Sequence, residues 1–451
     1  MNRHPLLLAL ALVAALLGES AVHAAPTSVL SATDRSEIAV SYTHLTTDFY
    51  QKVSPQSVLD SVRGDLISTL RSAGLKHATL PVLRANGLEG SNVHAIESEI
   101  AAAARAGAHR VPVHQLAYAA IDGMMRSVHD RYTVFLTPKE FAELNQGLDG
   151  GNFGGIGIVI QQDDRTHYIA VENVIPNGPA DKAGIEQDDL IVSIDGAQTK
   201  SMTPQQASSH LRGREGTHVS LTIQRDGKVL AQPIVITRAK IHDVSVFEKM
   251  LPNKIGYVEL TVFGLDTGSE LADALNRLEQ EGVRAIVLDL RDNGGGYLDA
   301  AIAVSSKFIS SGPIVSVEER HADVTTWEAD NTAISPLPLA VLVNGHTASA
   351  SEITSGAIQD SGVGTIIGTR TFGKGVVQTI YPLGDGSAIK ITTARYLTPH
   401  NRDINHLGIS PDITVSENQH PRYGDPPHDV QLQRALEFLQ NRLAQLNAEN
   451  S

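Results

Sequence analysis

The sequence has no cysteine, few aromatic residues and fewer basic than acidic residues. Without cysteine the chain forms no disulfide, so its hydrophobic core alone must stabilise the fold. Aromatic residues are only 4% of the chain, and Trp327 is the single tryptophan, which argues against stacking surfaces for single-stranded nucleic acid. Lys and Arg number 36 against 50 Asp and Glu, a net charge of −14. This is the wrong sign for a protein that neutralises DNA phosphates or anionic lipid, so we expect no nucleic-acid partner.

The sequence also lacks an apolar run of about 20 residues, the length that a membrane-spanning helix needs. Residues 6–17 form a shorter apolar run, which follows Arg3 and is succeeded by small residues up to Ala24. This pattern is typical of a signal peptide. We therefore predict a signal peptide over residues 1–24 and an exported mature protein without a membrane span. A bacterial periplasm is the preferred compartment; secretion, membrane association and an uncleaved anchor are the alternatives.

The length of 451 residues suggests roughly three domains at about 150 residues each. Residues 25–147 are alanine-rich with apolar residues at helical spacing, which predicts a helical N-terminal region. Residues 150–240 contain short β-branched runs and two short helical stretches, 180–183 and 204–211. Strand and helix patterns alternate over residues 244–420, and a C-terminal helix and tail occupy 421–451. Such alternation predicts an α/β layered core within a multidomain α/β protein.

Ser349 is the first candidate for chemistry. An apolar run at 339–343, a short loop and a helical pattern place it at a helix N-terminus. Unpaired backbone N–H groups and the helix dipole favour developing negative charge there, which suits an acyl-transfer nucleophile. The alternative is structural, because Ser349 and Glu352 also match the Ser-x-x-Glu capping box.

Lys374 is a candidate base for that serine. A serine hydroxyl is a weak nucleophile without a base, and a lysine amine serves only if burial lowers its pKa. Phe372, Val376 and Val377 are apolar residues that can wall it in. A lysine between two glycines is otherwise most often a turn residue.

A glycine run, 294–296, follows a strand pattern and precedes a helix pattern, so its N–H groups can face an oxyanion. A phosphate cradle is the alternative, but the spaced Gly-x-Gly-x-x-Gly and Walker patterns are absent. The sequence also has no Gly-x-Ser-x-Gly elbow and no His-Glu-x-x-His helix among its 18 histidines. His346, three residues before Ser349, is interpreted as a loop residue.

Three ordered blocks, 289–296, 343–353 and 371–378, resemble the carboxyl-terminal processing proteases, serine endopeptidases with a Ser/Lys dyad and a PDZ domain. The likeness extends from about residue 116 to residue 415. The resemblance implies a crotonase-like α/β core, with Ser349 as nucleophile, Lys374 as base and Gln378 orienting the lysine amine. It implies an oxyanion hole formed by the N–H groups of Gly295 and Ala350, and no metal or organic cofactor.

The residues Gly155, Ile156, Gly157 and Ile158 resemble the carboxylate-binding loop of a PDZ domain, a fold of β-sandwich or barrel type with two helices. Further likeness lies in residues 176–180, 183–185 and 188–196. In such domains backbone N–H groups hold a peptide C-terminus and the peptide adds a strand to the sheet. The resemblance implies a groove for apolar C-terminal residues, lined by Ile156, Ile158 and Leu211. A glycine-rich hairpin is the alternative for the loop alone.

These features together predict an exported serine endopeptidase that captures C-terminal tails of proteins or peptides and cleaves them through an acyl-enzyme. A PDZ adaptor whose catalysis has lapsed is the competing interpretation, although Ser349, Lys374 and Gln378 are all present. A hydrolase of smaller esters or lactams is a third. A homo-oligomer is left open, because family members assemble through N-terminal helices and residues 25–108 match the family weakly.

Overall fold

The computed structural model describes residues 29–107, 110–148, 153–163, 165–175, 178–241, 244–334, 336–418 and 422–449. The predicted signal peptide, residues 1–24, lies outside the described residues, as do 150–152 and 176–177 of the predicted PDZ region. Within the described ranges no helix is long and apolar enough to cross a membrane.

The N-terminal region is helical, as predicted, and also contributes one strand. Its elements are α1 (Ala32–Asp48), α2 (Pro55–Ser72), α3 (Glu89–Gly107), α4 (Val113–Arg126), β1 (Val134–Leu136) and α5 (Pro138–Leu148). The Ser54 hydroxyl accepts the Ser57 N–H at the start of α2, where Pro55 occupies the first turn without losing a hydrogen bond. The apolar faces of α1 to α4 meet in one buried cluster that includes Ile38 and Leu116.

The predicted PDZ region is mostly strand. Its elements are β2 (Phe153–Gly155), β3 (Ile158–Gln162), β4 (Ile169–Val174), α6 (Pro179–Lys182), β5 (Leu190–Ile194), β6 (Ala197–Gln198), α7 (Pro204–Leu211), β7 (His218–Arg225), β8 (Lys228–Val229), β9 (Ile234–Thr237) and β10 (Ala239–Ile241). The main path of the sheet is β3-β4-β5-β7-β8, with β6 beside β5 and β9 beside β7, and it forms no closed barrel. The chain enters through β2 and leaves through β10, and these two strands pair antiparallel as a separate ribbon.

The remaining elements alternate as predicted for an α/β core. They are β11 (Val246–Leu251), β12 (Ile255–Leu260), α8 (Thr267–Gln280), β13 (Ala285–Asp289), α9 (Leu298–Ser305), β14 (Pro313–Glu319), β15 (Thr325–Glu328), β16 (Leu339–Val343), α10 (Ala350–Ser361), β17 (Thr365–Gly368), β18 (Val376–Pro382), β19 (Ala388–Leu397), β20 (Ile413–Thr414) and α11 (Val430–Glu449).

The first core sheet has the order β11-β12-β13-β16-β17-β20 and is parallel except for the edge strand β11. Side chains alternate between its faces. Ile286 and Leu288 join the cluster under α8, α9 and α10, whereas Ala285 and Val287 join the cluster under α11. Because both faces are covered, β13 and β16 are buried along their whole length, which explains their unbroken apolar sequences.

The second core sheet is antiparallel, with the order β1-β19-β14-β15 and β18 also paired to β19. Its strand β1 comes from the N-terminal region. Leu383, Ile389 and Ile391 of the β18–β19 hairpin belong to the same buried cluster as the N-terminal helices. The N-terminal region and the core are therefore joined by both a strand pair and shared apolar packing.

Candidate active site

Ser349 lies at the sharp turn between β16 and α10, as its sequence position predicts. Its backbone has φ 55° and ψ −117°, which is unusual for any residue other than glycine. Such a conformation costs about 1–3 kcal/mol and persists only where the surrounding structure holds it. A strained strand-to-helix turn is also how α/β-hydrolases expose a nucleophilic serine. Here the turn forms without the Gly-x-Ser-x-Gly sequence.

A single cavity of about 1150 Å³ brings together the five residues that the resemblance assigns to catalysis. The residues of this set that line the cavity are Gly295, Ser349, Ala350, Lys374 and Gln378. Residues far apart in the sequence thus converge on one cavity, which we call the catalytic-side cavity. Lys390 of β19 and Tyr396 at the other end of that strand also line it.

Lys374 is half-buried on the loop before β18. Burial lowers the pKa of its amine to about 8, with a further lowering from the positive charges of Lys390 and Arg131. An amine with this pKa is unprotonated in about a tenth of molecules at pH 7. The aromatic wall is Tyr132 from the N-terminal region, whose ring centre lies 5.0 Å from Nζ of Lys374.

The apolar walls expected from the sequence are only partly present. Val376 and Val377 line the catalytic-side cavity beside Lys374. Phe372 is instead 44% exposed, and the Arg131 guanidinium lies over its ring at 4.9 Å. The immediate sequence neighbours of Lys374 therefore do not supply its whole environment.

Glu352 joins the serine turn to the lysine loop. Its buried carboxylate accepts the N–H of Ser349 at 2.9 Å and the N–H groups of Gly373 and Lys374, both at 2.8 Å. It also accepts the Thr371 hydroxyl at 2.5 Å. Glu352 therefore fixes the two catalytic candidates relative to each other. The Ser-x-x-Glu pattern revealed only its capping contact, because the lysine loop is about twenty residues away in sequence.

Tyr396 was not anticipated as a site residue. Its hydroxyl lies 2.6 Å from the Lys374 carbonyl oxygen and 3.1 Å from the Ser349 carbonyl oxygen. Burial raises the pKa of Tyr396 well above its usual value, so the hydroxyl stays protonated and able to donate. In the sequence it is indistinguishable from an ordinary core residue of a strand.

Gly295 packs directly against the serine turn. It has φ +97°, and an added Cβ would lie 2.7 Å from the Ala348 carbonyl oxygen and 2.8 Å from both Ala350 N and Ser349 Cβ. Only glycine fits so close to this turn. The Gly295 N–H donates to Oδ1 of Asn293 at 2.9 Å. The Ala350 N–H, at the start of α10, has no hydrogen-bond acceptor within the described part of the chain.

Gln378 lines the cavity, but its Nε2 donates to the Val376 carbonyl oxygen at 3.3 Å. Among the described residues, no hydrogen bond joins Nζ of Lys374 to Gln378 or to Oγ of Ser349. Hydrogen bonds of this kind are often long in enzymes without substrate and tighten on binding. His346, interpreted as a loop residue, is exposed and pairs with Asp292 at 2.8 Å.

The predicted PDZ residues line a second, smaller cleft of about 80 Å³. Those residues are Gly155, Ile156, Gly157, Ile158 and Leu211, and all five contribute to the lining. The wall facing β3 is the C-terminal end of α7. Strand β3 is an edge of the described sheet, so its outer backbone groups can pair with an added peptide strand. We call this opening the PDZ cleft.

Comparison with known proteins identifies both regions. Residues 254–415 match the model of peptidase family S41, and residues 171–225 match a PDZ domain model. The carboxyl-terminal-processing protease of Picosynechococcus is 35% identical over 328 residues, which cover 72% of this chain and 79% of that protein. The Synechocystis protein of the same name is 35% identical over 333 residues, covering 72% and 78%.

A solved structure of a photosystem II D1 C-terminal processing protease is 30% identical, with a TM-score of 0.47 over 86% of this chain and 94% of that chain. The curated relatives exceed the level of identity and coverage at which membership of a family is secure, and they confirm the resemblance found in the sequence. The chain therefore belongs to the carboxyl-terminal-processing proteases, serine-type peptidases of family S41 that carry a PDZ domain.

Proposed function

We propose that the protein is an exported endopeptidase that captures protein or peptide tails at the PDZ cleft and cleaves them with a Ser349/Lys374 dyad. The observation that carries the proposal is the strained turn at Ser349, which shares the catalytic-side cavity with a half-buried lysine. The pKa of that lysine, lowered to about 8, gives a usable fraction of neutral amine near pH 7.

In the proposed reaction the neutral Lys374 amine removes the proton from Oγ of Ser349. The oxygen then attacks the scissile carbonyl carbon, and Lys374 returns the proton to the leaving nitrogen as the peptide bond breaks. Water hydrolyses the acyl-enzyme, with Lys374 taking a proton from the water and giving it back to Ser349. Binding of substrate must bring Nζ of Lys374 and Oγ of Ser349 into hydrogen-bond distance. Glu352 already holds the backbones of both residues close together, so neither has to move far.

The Ala350 N–H is the proposed primary oxyanion donor, because it begins α10 without an acceptor among the described residues. Gly295 is the proposed second donor. Its N–H must turn from Oδ1 of Asn293 toward the oxyanion, or share its hydrogen between the two. Gln378 must likewise leave the Val376 carbonyl oxygen in order to orient the Lys374 amine.

At the PDZ cleft, we propose that the backbone N–H groups of residues 155–158 bind the substrate carboxylate. The last apolar side chain packs between Ile156, Ile158 and Leu211, and the peptide adds a strand along β3. The proposed divisions are a signal peptide at 1–24, a helical region at 25–147, a PDZ domain at 150–240, a catalytic core at 244–420 and a C-terminal segment at 421–451. The ribbon of β2 and β10 supports the third division.

The proposal is tested by incubating an unstructured protein with an apolar C-terminus with wild type, Ser349→Ala and Lys374→Met, following fragments by mass spectrometry. Both variants should lose at least about 1000-fold in kcat/KM, while Ser349→Ala still binds the tail. Ser361→Ala, an exposed serine at the other end of α10, is the matched control and should cleave normally.

Undiminished cleavage by Ser349→Ala would contradict the dyad. Tail binding without cleavage by the wild type would instead favour the adaptor interpretation, or a peptidase that needs an activating partner. Expression of the full chain in a bacterium, with fractionation and sequencing of the mature N-terminus, tests export and cleavage after Ala24.

A further inference from the structure

Lys390 is a lysine in the middle of an antiparallel sheet. It lies on β19 between two neighbouring strands, opposite Val134 of β1 and Ile380 of β18. Its side chain is half-buried, and within the described ranges it has no hydrogen bond or ion pair. An unpaired charge in a central strand raises the free energy of the folded state. Lys390 therefore lowers the stability of the fold.

The side chain of Lys390 is directed into the catalytic-side cavity. Because side chains alternate along a strand, Ile389 and Ile391 pack against the N-terminal helices, while Lys390 is on the opposite face. Tyr396, further along β19, also lines this cavity and contacts the Ser349 and Lys374 backbones. Lys390 and Lys374 both line the one cavity, so two amines share the space beside Ser349.

We propose that Lys390 is a positioning residue that acts through Lys374, because its positive charge favours the neutral, proton-accepting form of the neighbouring amine. The inference rests on the proposed role of Lys374 as the base. Two ammonium groups in a half-buried cavity repel each other, and the proton is more easily lost from one of them than from a lone lysine.

The charged groups facing Lys374 come from three elements besides its own loop. Lys390 on β19 and Arg131 in the α4–β1 turn disfavour its charged form, whereas Glu352 on α10 and Asp130 in the same turn favour it. After burial, Lys390 is the largest cause of the lowered pKa of Lys374.

Both carboxylates are engaged elsewhere, which leaves the lysine pair without a close counter-ion. Glu352 accepts backbone N–H groups and a hydroxyl, and Asp130 accepts the hydroxyls of Thr133 and Thr392. Burial also lowers the pKa of Lys390, while Asp130 favours its charged form. Asp130 favours the charged form of both amines, but Lys374 also faces the two cations Lys390 and Arg131, so Lys374 is the amine that gives up its proton first.

The kinetic test compares kcat/KM against pH for wild type, Lys390→Met and Lys390→Arg. Loss of the charge in Lys390→Met should move the midpoint up by about half to one pH unit. Its rate should therefore fall about 3- to 10-fold at pH 7 and recover above about pH 9.5. Lys390→Arg keeps the charge and should keep the wild-type midpoint.

The matched control is Lys307→Met. Lys307 also lines the cavity, but its Nζ donates to the Thr332 hydroxyl and it is not among the groups that shift Lys374. Its removal should leave the midpoint unchanged. A Lys390→Met variant with altered KM at an unchanged midpoint would assign Lys390 to substrate contact and overturn the proposal.

A second measurement follows the protonation of the Lys374 amine without relying on catalysis. In a Ser349→Ala background, competitive acetylation of Lys374 by acetic anhydride is followed against pH by mass spectrometry, with and without Lys390→Met. The midpoint of Lys374 reactivity should rise in the double variant. An unchanged midpoint, with circular dichroism showing a folded protein, would overturn the proposal; Lys390→Gln replaces Lys390→Met if the latter does not fold. If the midpoint rises although the wild type cleaves nothing, the charge coupling stands and the proposed function fails.

Discussion

The two openings of this molecule, the catalytic-side cavity and the PDZ cleft, differ in how firmly hydrogen bonds fix the backbone around them. Around the catalytic-side cavity, Glu352 and Tyr396 tie the serine turn to the lysine loop by hydrogen bonds from buried side chains. The PDZ cleft lies between an edge strand and the end of a short helix, beside a two-stranded ribbon. Chemistry requires groups fixed in advance, whereas capture by strand addition requires a free edge.

The same contrast appears in backbone strain. The catalytic-side cavity has a non-glycine residue with positive φ, Ser349 at 55°, besides Gly295 and Gly296, whereas the positive-φ residue in the described lining of the PDZ cleft is Gly157, at 77°. A glycine adopts this conformation at little cost, whereas a serine there must be held by its surroundings. The comparison predicts that small changes should damage the first opening more than the second.

The largest effect is expected for Gly295→Ala. The added methyl group would lie within 2.8 Å of the serine turn, so kcat should fall by about 100-fold or more, while affinity for a tail peptide stays unchanged. Gly294→Ala is the matched control, because no atom lies within 4 Å of an added Cβ there. Steady-state kinetics and fluorescence anisotropy with a labelled tail peptide measure the two properties. An equal fall in kcat for Gly295→Ala and Gly294→Ala would contradict the idea that close packing against the serine turn makes the catalytic-side cavity more sensitive than the PDZ cleft.

The next effect is a pH dependence that only one opening should show. Because the pKa of Lys374 is lowered to about 8 and the base acts when unprotonated, wild-type kcat/KM should rise with pH to a plateau above about 9. At pH 7 it should be about a tenth of the plateau. Tail affinity should be flat from about pH 6 to pH 9, because a carboxylate and backbone N–H groups do not titrate there. A kinetic midpoint below about pH 6.5 would point to a base other than Lys374.

A smaller effect is expected for Leu211→Ala at the PDZ cleft. Leu211 is 5% exposed, and losing its contact with an apolar tail should weaken binding about 5- to 20-fold. Cleavage of a tailed protein at low concentration should fall by a similar factor, and cleavage of a short peptide should fall less. Val235→Ala, at an exposed position of the same domain, is the control. A similar loss for the short peptide would show that the cleft does not act in substrate capture.

The smallest effect concerns the N-terminal support of the β18–β19 hairpin. Glu37 on α1 accepts the Asp385 N–H at 3.0 Å, and its Oε2 is buried without a partner. Burial raises its pKa to about 7, so its stabilising contribution is complete below about pH 4.5 and is lost as pH rises through about 7.

Glu37→Gln should therefore raise the Tm by about 2 °C at pH 8.5 and have little effect at pH 5. Thermal melting followed by circular dichroism at both pH values measures this, with Glu279→Gln on the exposed side of α8 as control. A Tm that falls at pH 8.5 would show that the Glu37 charge stabilises the hairpin.

Local sequence patterns predict the elements whose structure is set by neighbouring residues. They do not predict elements or residue roles that depend on partners far away in the sequence. Ser349 and Lys374 are candidates because the sequence blocks around them resemble those of a known family, and α7 matches its predicted bounds of 204–211. Strand β1 is three residues long and exists because β19 pairs with it, a contact more than 250 residues away. Strands β14 and β15 also have a weak local signal, because β14 ends in two glutamates and β15 has only four residues.

The same limit applies within the site. Glu352 is visible as a helix cap, but its contact with the lysine loop depends on how α10 packs. Lys390 and Tyr396 acquire meaning only when β19 is placed beside the catalytic-side cavity. A lysine and a tyrosine in an alternating strand have no local sign of a role, because that role comes entirely from tertiary neighbours.

The ribbon of β2 and β10 makes the PDZ region a removable insertion. Its two ends are paired residue by residue, Gly155 opposite Ala239 and Phe153 opposite Ile241, so they stand about 5 Å apart. A two-residue hairpin turn can span that gap. The rest of the chain can therefore be closed without stretching its backbone, and a different binding module can be grafted at the same point. Under the proposed function, such a graft would exchange the tail selectivity and leave the residues of the catalytic-side cavity unchanged.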